Sequence, residues 1–373
     1  MKFTCTKENL MHGLSLVTPL TGKSAHLPIL NNVLITVTDS KVEMSTTNLE
    51  IAIRANLRAK IDATGSFTVP ARTLSEYVSL LRDGQIDIEL VDHELSIVSG
   101  SSKTKIKGSA ADEYPVIPPI DESHGYTLDA KILKEAMSRV IIAVAKNEIR
   151  PELAGVYMGL FTDRYSGLVL AGTDSYRLAE AHVPVLQGSD PIQVIVPGRS
   201  VFEMIRLFGL GQLAGENNAR FWVSQSQVAL RYDTFEMTSR LVDGKYPDYG
   251  QIVPTQFKSS ATFPIDVMTS AIKAAGLFSA TGINAVSFDL NQSEQSVGVS
   301  ATSAQMGEHS ATIESSVVGE ENSILLNYRY VIEGLQHLSG EMAELHMNSA
   351  DTPCLLRSSG NQDFIYIVMP IRQ

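Results

Sequence analysis

The sequence predicts an α+β fold made of three copies of one domain. Three segments share a short apolar strand, a turn, an arginine near a helix start and apolar residues at helical spacing: residues 68–81 (TVPARTLSEYVSLL), 195–207 (IVPGRSVFEMIRL) and 324–338 (ILLNYRYVIEGLQHL). A unit that recurs at a fixed interval indicates repeated domains. A chain of 373 residues is also longer than one hydrophobic core usually serves.

Each copy also opens with a short strand and an amphipathic helix. In the first copy, apolar residues at helical spacing predict a helix over residues 7–17. In the second, Asp129 is the predicted N-cap of a helix over 129–146, and the third copy repeats the pattern over 264–279. Each domain should therefore contain two helices, one at its start and one in its middle.

The segments between the helices predict strands. Runs of β-branched and apolar residues, such as 34–38, 86–90 and 227–231, are bounded by turn residues. Strands before and after two helices predict antiparallel sheets that carry both helices on one side. Proline-rich segments close the first two copies. The predicted domains are residues 1–123 (N-terminal), 124–253 (central) and 254–373 (C-terminal).

Composition is typical of a soluble globular protein, with 44% hydrophobic and 19% charged residues. We find no apolar run long enough to span a membrane and no signal peptide near the start. Cys5 and Cys354 are far apart in the chain and belong to no paired motif. A cytoplasmic protein without a disulfide framework is the expectation.

The net charge of -11 argues against a protein that binds nucleic acid over its whole surface. The third predicted domain accounts for most of that charge, whereas the six predicted helix windows together sum to +4. The helices either present ordinary solvated faces or line a surface that tolerates phosphates. The densest basic group is Lys131, Lys134, Arg139 and Lys146, and the central helices of the first two copies add Arg72, Arg82, Arg199 and Arg206.

A search for catalytic chemistry is largely negative. We find no metal-ligand spacing, no phosphate-binding glycine loop and no nucleophile motif, so we predict neither a metal nor a cofactor. Asp174, between Thr173 and Ser175, is either a catalytic carboxylate or the cap of a turn. The apolar segment 366–373 is either a closing core strand or the lip of a peptide-binding groove.

Several motifs together resemble the bacterial sliding clamp family, the beta subunit of DNA polymerase III, over essentially the whole chain. They are residues 27–32 (LPILNN), 172–179 (GTDSYRLA), 241–249 (LVDGKYPDY) and 368–372 (VMPIR), in this order across the three repeats. The resemblance implies three clamp domains per chain and a head-to-tail dimeric ring around duplex DNA. It also implies a non-catalytic processivity factor that an ATP-driven clamp loader places on DNA, and that tethers the replicative polymerase and repair proteins.

The resemblance implies a site for client peptides between the second and third domains. An apolar trough with polar edges suits a linear motif with Leu or Phe anchors. Tyr176, Gln251 and Asp351 depart from the residues common in the family. The implied site residues are Leu153, Thr173, Tyr176, Arg177, Leu178, Pro247, Ile252, Ile283, Asn327, Tyr330, Val368, Met369, Pro370, Ile371 and Arg372.

Two further sets follow from the charge pattern and the resemblance together. The expected DNA-binding residues are Lys23, Arg72, Lys131, Lys134, Arg139, Lys146, Arg150, Arg199 and Arg206. A basic strand in the first domain either meets the acidic third domain of a partner chain or merely blocks aggregation. The expected dimer interface contains Lys103, Lys105, Ile106 and Lys107, with Leu277 and Phe278 of the other chain.

Two other function classes are compatible with parts of the sequence. An enzyme acting through carboxylates such as Asp174 would show metal-dependent turnover. A three-domain adhesion or lectin-like module would be exported or would bind glycans. The cytoplasmic character of the composition argues against the second class.

Overall fold

The computed structural model describes residues 1–22, 27–82, 84–211, 217–280 and 282–372. Within these residues the chain forms three repeats with one element order: a strand, a helix, five strands, a helix and three strands. The predicted α+β class and the threefold repeat are confirmed.

The first repeat contains helix α1 (Lys7–Val17), as predicted, and helix α2 (Ala71–Leu80). Its strands are β1 (Lys2–Thr6), β2 (Asn32–Val37), β3 (Val42–Thr47), β4 (Ile51–Leu57), β5 (Lys60–Ala63), β6 (Gly65–Pro70), β7 (Gln85–Val91), β8 (Glu94–Ser99) and β9 (Ser102–Lys107).

The second repeat contains helices α3 (Ala130–Val140) and α4 (Gly198–Leu210). Its strands are β10 (Gly125–Asp129), β11 (Gly155–Thr162), β12 (Tyr165–Thr173), β13 (Arg177–Val183), β14 (Val185–Gln187), β15 (Ile192–Pro197), β16 (Asn218–Val223), β17 (Gln227–Tyr232) and β18 (Phe235–Arg240).

The third repeat contains helices α5 (Ile265–Gly276) and α6 (Tyr328–Leu335). Its strands are β19 (Ser259–Pro264), β20 (Ala285–Asn291), β21 (Ser296–Ser303), β22 (Gly307–Glu314), β23 (Ser316–Gly319), β24 (Asn322–Asn327), β25 (Met342–Met347), β26 (Cys354–Ser358) and β27 (Phe364–Val368).

Two details of the predicted helices were wrong. We expected a turn before each central helix, but α2, α4 and α6 begin directly after β6, β15 and β24. Helix α3 also ends at Val140, where a 3₁₀ turn (Ile141–Ala143) takes over, so Lys146 does not lie on it. The predicted N-cap is confirmed, because Asp129 Oδ1 accepts the main-chain N–H bonds of Lys131 and Ile132, both at 2.9 Å.

Within each repeat the strands form a five-stranded and a four-stranded arrangement. In the first repeat their orders are β5-β1-β7-β8-β9 and β4-β3-β2-β6, and the other repeats place equivalent strands in the same orders. Neighbouring strands are antiparallel. Alternating side chains face inward: in β2, Val33, Ile35 and Val37 are buried.

The repeats are joined through continuous sheets. The ninth strand of the second repeat, β18, pairs with the fourth strand of the first, β4. In the same way β27 pairs with β13, which produces two nine-stranded sheets. Among the described residues, β9 and β22 lack the partner that their equivalents have.

The chain also divides into two compact units. One contains Met1–Lys134, Val185–Asp190 and Phe202–Leu241, and the other contains the remaining segments, including Val242–Gln373. Each unit holds one nine-stranded sheet, so the junctions between repeats lie inside the units. The boundaries predicted for the three domains remain predictions.

Candidate functional site

An open groove of about 610 Å³ lies within the second compact unit. Four parts of the chain form it: the segment after the 3₁₀ turn, the β12–β13 turn, Asn284, and the start of α6. The lining residues are Ala145, Lys146, Asn147, Ile149, Arg150, Leu153, Asp174, Ser175, Tyr176, Arg177, Asn284, Asn327, Arg329, Tyr330 and Glu333.

The β12–β13 turn is fixed by side-chain hydrogen bonds to its own backbone. Thr173 Oγ1 donates to the Arg177 carbonyl at 2.6 Å, and Asp174 Oδ1 accepts the N–H bonds of Tyr176 and Arg177, both at 3.0 Å. Ser175 adopts a positive φ of 74°, which closes the turn. Asp174 therefore caps the turn, which was one of its two predicted roles, and Tyr176 is left 64% exposed.

Arg177 is a buried cation that links three elements. Its guanidinium contacts Asp174 Oδ2 at 3.1 Å, Tyr366 Oη at 3.3 Å and Glu333 of α6. It also lies 4.4 Å above the Tyr330 ring. Burial alone lowers the pKa of Arg177, but Tyr366 and Glu333 outweigh it and raise the pKa, so the side chain stays charged. Arg177 thus holds β13, β27 and α6 together.

The start of α6 forms another part of the groove. Asn327 Oδ1 caps the helix by accepting the Arg329 N–H at 3.1 Å, and the Tyr328 N–H donates to the Asn284 carbonyl at 2.8 Å. The cap leaves Arg329 exposed beside the groove. In the repeat, Arg329 occupies the position of Arg72 and Arg199, the arginines near the starts of α2 and α4.

The groove brings together part of the expected peptide site: Leu153, Tyr176, Arg177, Asn327 and Tyr330. Thr173, Leu178 and Val368 are buried in β12, β13 and β27 and lie outside the groove lining, so their part in peptide binding remains a prediction. Met369 nevertheless reaches the turn, since its N–H donates to the Tyr176 carbonyl at 2.9 Å. The other expected residues lie outside the groove lining and remain predictions: Pro247, Ile252, Ile283, Met369, Pro370, Ile371 and Arg372.

The expected DNA-binding residues separate into groups. Arg72, Lys131, Lys134 and Arg199 lie on helices with exposed or half-exposed side chains, and they remain predictions. Lys146 and Arg150 line the groove instead of a helix face. Lys23 lies outside the described residues.

Arg206 and Arg139 of that set contact elements other than their own helices. Arg206 donates to the carbonyls of Ser15 at 2.9 Å and Leu16 at 2.6 Å, at the end of α1, and it also pairs with Glu203. Arg139 is mostly buried, contacts Glu135 at 2.6 Å and lies 5.5 Å above the Phe364 ring. These contacts argue against phosphate binding by either side chain.

The expected interface residues also differ in accessibility. Lys103, Lys105 and Lys107 are exposed on β9, but Ile106 is only 8% exposed because it packs inside its own sheet. Ile106 therefore has little surface to offer a partner, which argues against that assignment. Leu277 is 70% exposed, while Phe278 stacks on His309 at a centroid distance of 5.7 Å.

Sequence reasoning missed several groove residues, among them Ile149, Asn284, Arg329 and Glu333. Arg329 could have been found, because the repeat aligns it with two arginines already singled out. Asn284 could not, since it reaches the groove through long-range pairing with the start of α6.

Two kinds of feature are absent from the described residues. No group of three or more His, Cys, Asp or Glu side chains is placed to hold a metal ion. No described helix is long and apolar enough to cross a membrane.

The repeat of one α+β domain three times, with sheets continuous across the repeats, defines a DNA-clamp type of protein. Family models for the N-terminal, central and C-terminal domains of the DNA polymerase III beta subunit match residues 1–118, 127–248 and 250–372. The chain therefore belongs to the DNA polymerase III beta subunit family.

Individual relatives agree along their whole length. Beta sliding clamps of Synechococcus elongatus and Bacillus subtilis are each 27% identical, with 100% of this chain covered and 99% and 100% of theirs. The sliding clamp structure from Bacillus subtilis matches with a TM-score of 0.93 at 26% identity, covering 100% of this chain and 99% of that one. A sliding clamp from Pseudomonas aeruginosa bound to griselimycin gives 0.93 at 25% identity, with both chains fully covered. The function of the chain is that of a DNA polymerase processivity factor, a sliding clamp.

Proposed function

We propose that two copies of this chain join head to tail into a ring that encircles duplex DNA. The main support is that β9 and β22 each have an unpaired edge among the described residues. At both internal junctions the fourth strand of one repeat pairs with the ninth strand of the next. Strand β9 is a ninth strand without such a partner, and β22 is a fourth strand without one. Pairing β9 of each copy with β22 of the other satisfies both edges and closes the assembly.

Charge supports this pairing. Strand β9 presents three exposed lysines, Lys103, Lys105 and Lys107, whereas β22 carries Glu308 and Glu314. Opposite charges across an interface favour the correct partner and orientation. The alternative, that the lysines only block aggregation, leaves the acidic β22 without a role.

Burial at equivalent positions points to the same surface. Leu207 of α4 is fully buried, but its equivalent in α2, Leu80, is 84% exposed. Leu277, at the end of α5, is exposed as well. Two large apolar side chains at the unpaired ends are typical of an interface that a second copy covers.

The helices are the proposed DNA-facing surface. Within their observed bounds they carry nine Lys and Arg against six Asp and Glu residues, in a chain whose net charge is -11. Mild positive charge without base-reading contacts favours sliding rather than sequence recognition. Lys131, Lys134, Arg72 and Arg199 are the residues we assign to this role.

The groove is the proposed docking site for clients. Leu153, Ile149 and Tyr176 supply apolar surface, and Asn327 and Arg329 supply polar edges, a combination that suits a linear peptide. Polymerase, clamp loader and repair proteins would bind there through short motifs. A tethered polymerase rebinds before it diffuses away, so the ring acts by effective concentration. The chain itself is non-catalytic and works in the cytoplasm.

The dimer is tested with Leu277→Glu and Leu80→Glu, and with Val116→Glu as a control. All three residues are exposed, so the substitutions leave the fold intact. Light scattering after gel filtration should give a dimer for the original protein and for Val116→Glu, and a monomer for the other two. A dimer of unchanged mass in both test variants contradicts the interface.

The groove is tested with Tyr176→Ser against the control Val318→Ser, since Val318 of β23 is 65% exposed, compared with 64% for Tyr176, and lies outside both the groove lining and the helices. Polymerase stimulation on primed DNA should fall at least about tenfold for Tyr176→Ser, because large aromatic contacts dominate small interfaces. Equal polymerase stimulation by both variants would contradict the assignment of the groove as the docking site.

A further inference from the structure

We infer that the groove selects acidic linear peptides, and that Lys146 and Arg329 recognise the carboxylates beside the peptide's apolar residues. The inference rests on the proposed docking function and adds the chemical class of the ligand and two residues that determine specificity.

The groove lining carries more positive than negative side chains. The lining contains the cations Lys146, Arg150, Arg177 and Arg329, but only two anions. Both anions, Asp174 and Glu333, contact Arg177. A basic groove in a protein with a net charge of -11 is a local reversal of sign.

The four cations differ in their partners. Arg177 is neutralised by its two carboxylates, and Arg150 pairs with Glu152 at 3.0 Å. For Lys146 and Arg329 the described part of the chain shows no carboxylate within ion-pair distance; Arg329 contacts only the hydroxyl and ring of Tyr328. These two side chains are therefore the cations that a ligand carboxylate can reach without displacing an internal partner.

The apolar part of the groove favours a peptide over single-stranded nucleic acid. Ile149 is 85% exposed on the segment that carries Lys146 and Arg150, and the aliphatic Leu153 also lines the groove. Nucleic-acid grooves use aromatic faces for base stacking. Here one Tyr330 face is covered by Arg177, which leaves Tyr176 as the exposed ring among the described lining residues.

The experiment compares two synthetic peptides with the same Leu and Phe anchors. In one, two Asp residues flank the anchors, and in the other they are Asn. Binding to the full-length protein is followed by fluorescence anisotropy at low and high salt. We expect the Asp peptide to bind about tenfold more tightly at low salt, as two exposed ion pairs allow. The preference should shrink at high salt.

The decisive variant is Lys146→Gln with Arg329→Gln. It should bring the ratio of the two affinities close to one, whatever change in affinity the two peptides share. Lys60→Gln, an exposed lysine of the first repeat, serves as the control and should keep the preference. Because both test residues are exposed, the double variant should fold normally, which its thermal unfolding checks.

Three results would overturn the inference. Equal, salt-independent binding of both peptides would refute the charge selection while the proposed docking function stands. If neither peptide binds, both the proposed docking function and the inference are wrong. A single-stranded oligonucleotide that displaces the Asp peptide and binds more tightly, with the same dependence on Lys146 and Arg329, would assign the basic groove to nucleic acid.

Discussion

The two internal junctions share one backbone arrangement but use different side chains to hold it. Strand β4 pairs with β18 in the first compact unit, and β13 pairs with β27 in the second. At the equivalent position of the fourth strand, one junction has Arg54 and the other has Glu180. A reversal of charge at one structural position shows that the strand pairing does not depend on either residue.

Arg54 is the centre of an ionic network. It contacts Glu236 on the neighbouring strand at 2.9 Å and Glu43 at 3.9 Å, and it donates to the Ile117 carbonyl at 2.9 Å. Glu236 in turn pairs with Arg231 at 2.8 Å. The network surrounds a groove of about 400 Å³, so water reaches it. It binds the first repeat both to β18 and to the segment that leads into the second repeat.

Glu180 lies instead in a largely aromatic environment. It is buried, with His182 at 3.2 Å and Arg164 at 3.3 Å, and Arg164 lies 4.8 Å above the Tyr249 ring. Burial by itself raises the pKa of Glu180, but His182, Tyr249 and Arg164 outweigh it and lower the pKa below its ordinary value of 4.5. Nearby, the rings of Tyr157 and Tyr246 lie 5.4 Å apart.

Main-chain pairing and alternating apolar residues therefore maintain the repeat. The polar side-chain contacts at the two junctions differ, so mutations of these side chains should change stability by different amounts. The helices show the same divergence: Arg206 of α4 caps α1, whereas the equivalent residue of α6 is the exposed Gln336.

Replacing Arg54 should have the largest effect on stability. Arg54→Met removes the cation that Glu43 and Glu236 share and leaves the Ile117 carbonyl without its charged donor, which should lower the free energy of unfolding by about 3 kcal/mol. Urea unfolding followed by the fluorescence of Trp222, the chain's one tryptophan, reports on this unit. Arg58→Met, at an exposed arginine beyond the same strand, is the control and should change little. A similar loss of unfolding free energy in both variants would show that the ionic network around Arg54 contributes no more to stability than an exposed arginine does.

Arg206→Met should follow, with a loss of about 2 kcal/mol, because two carbonyls at the end of α1 lose charged hydrogen bonds. Amide hydrogen exchange should increase at the end of α1. The matched variant is Gln336→Met at the equivalent position of α6, where the expected change is below about 0.5 kcal/mol. Equal exchange rates in Arg206→Met and the original protein would mean that the end of α1 is held by packing alone.

Local signals in the sequence were sufficient for local features. The caps formed by Asp129 and Asp174 depend on partners two or three residues away, so their patterns were readable. The contacts of Arg206 and Arg139 with other elements could not be predicted, because partners such as Leu16 and Phe364 lie about two hundred residues away. The repeat itself was predictable, but the strands that join one repeat to the next were not, since pairing across repeats leaves no local pattern.

Glu180→Gln should have the smallest effect and a distinct dependence on pH. Because the pKa of Glu180 is lower in the folded than in the unfolded chain, its carboxylate stabilises the fold above a pH of about 4.5, and this contribution is lost as the pH falls through the lowered value. The variant should be about 1 kcal/mol less stable at neutral pH, and the difference should vanish in acid. Urea unfolding followed by circular dichroism at both pH values, with Glu294→Gln as an exposed control, measures it. If the difference in stability stays constant with pH, Glu180 stabilises its junction by packing and not by its charge.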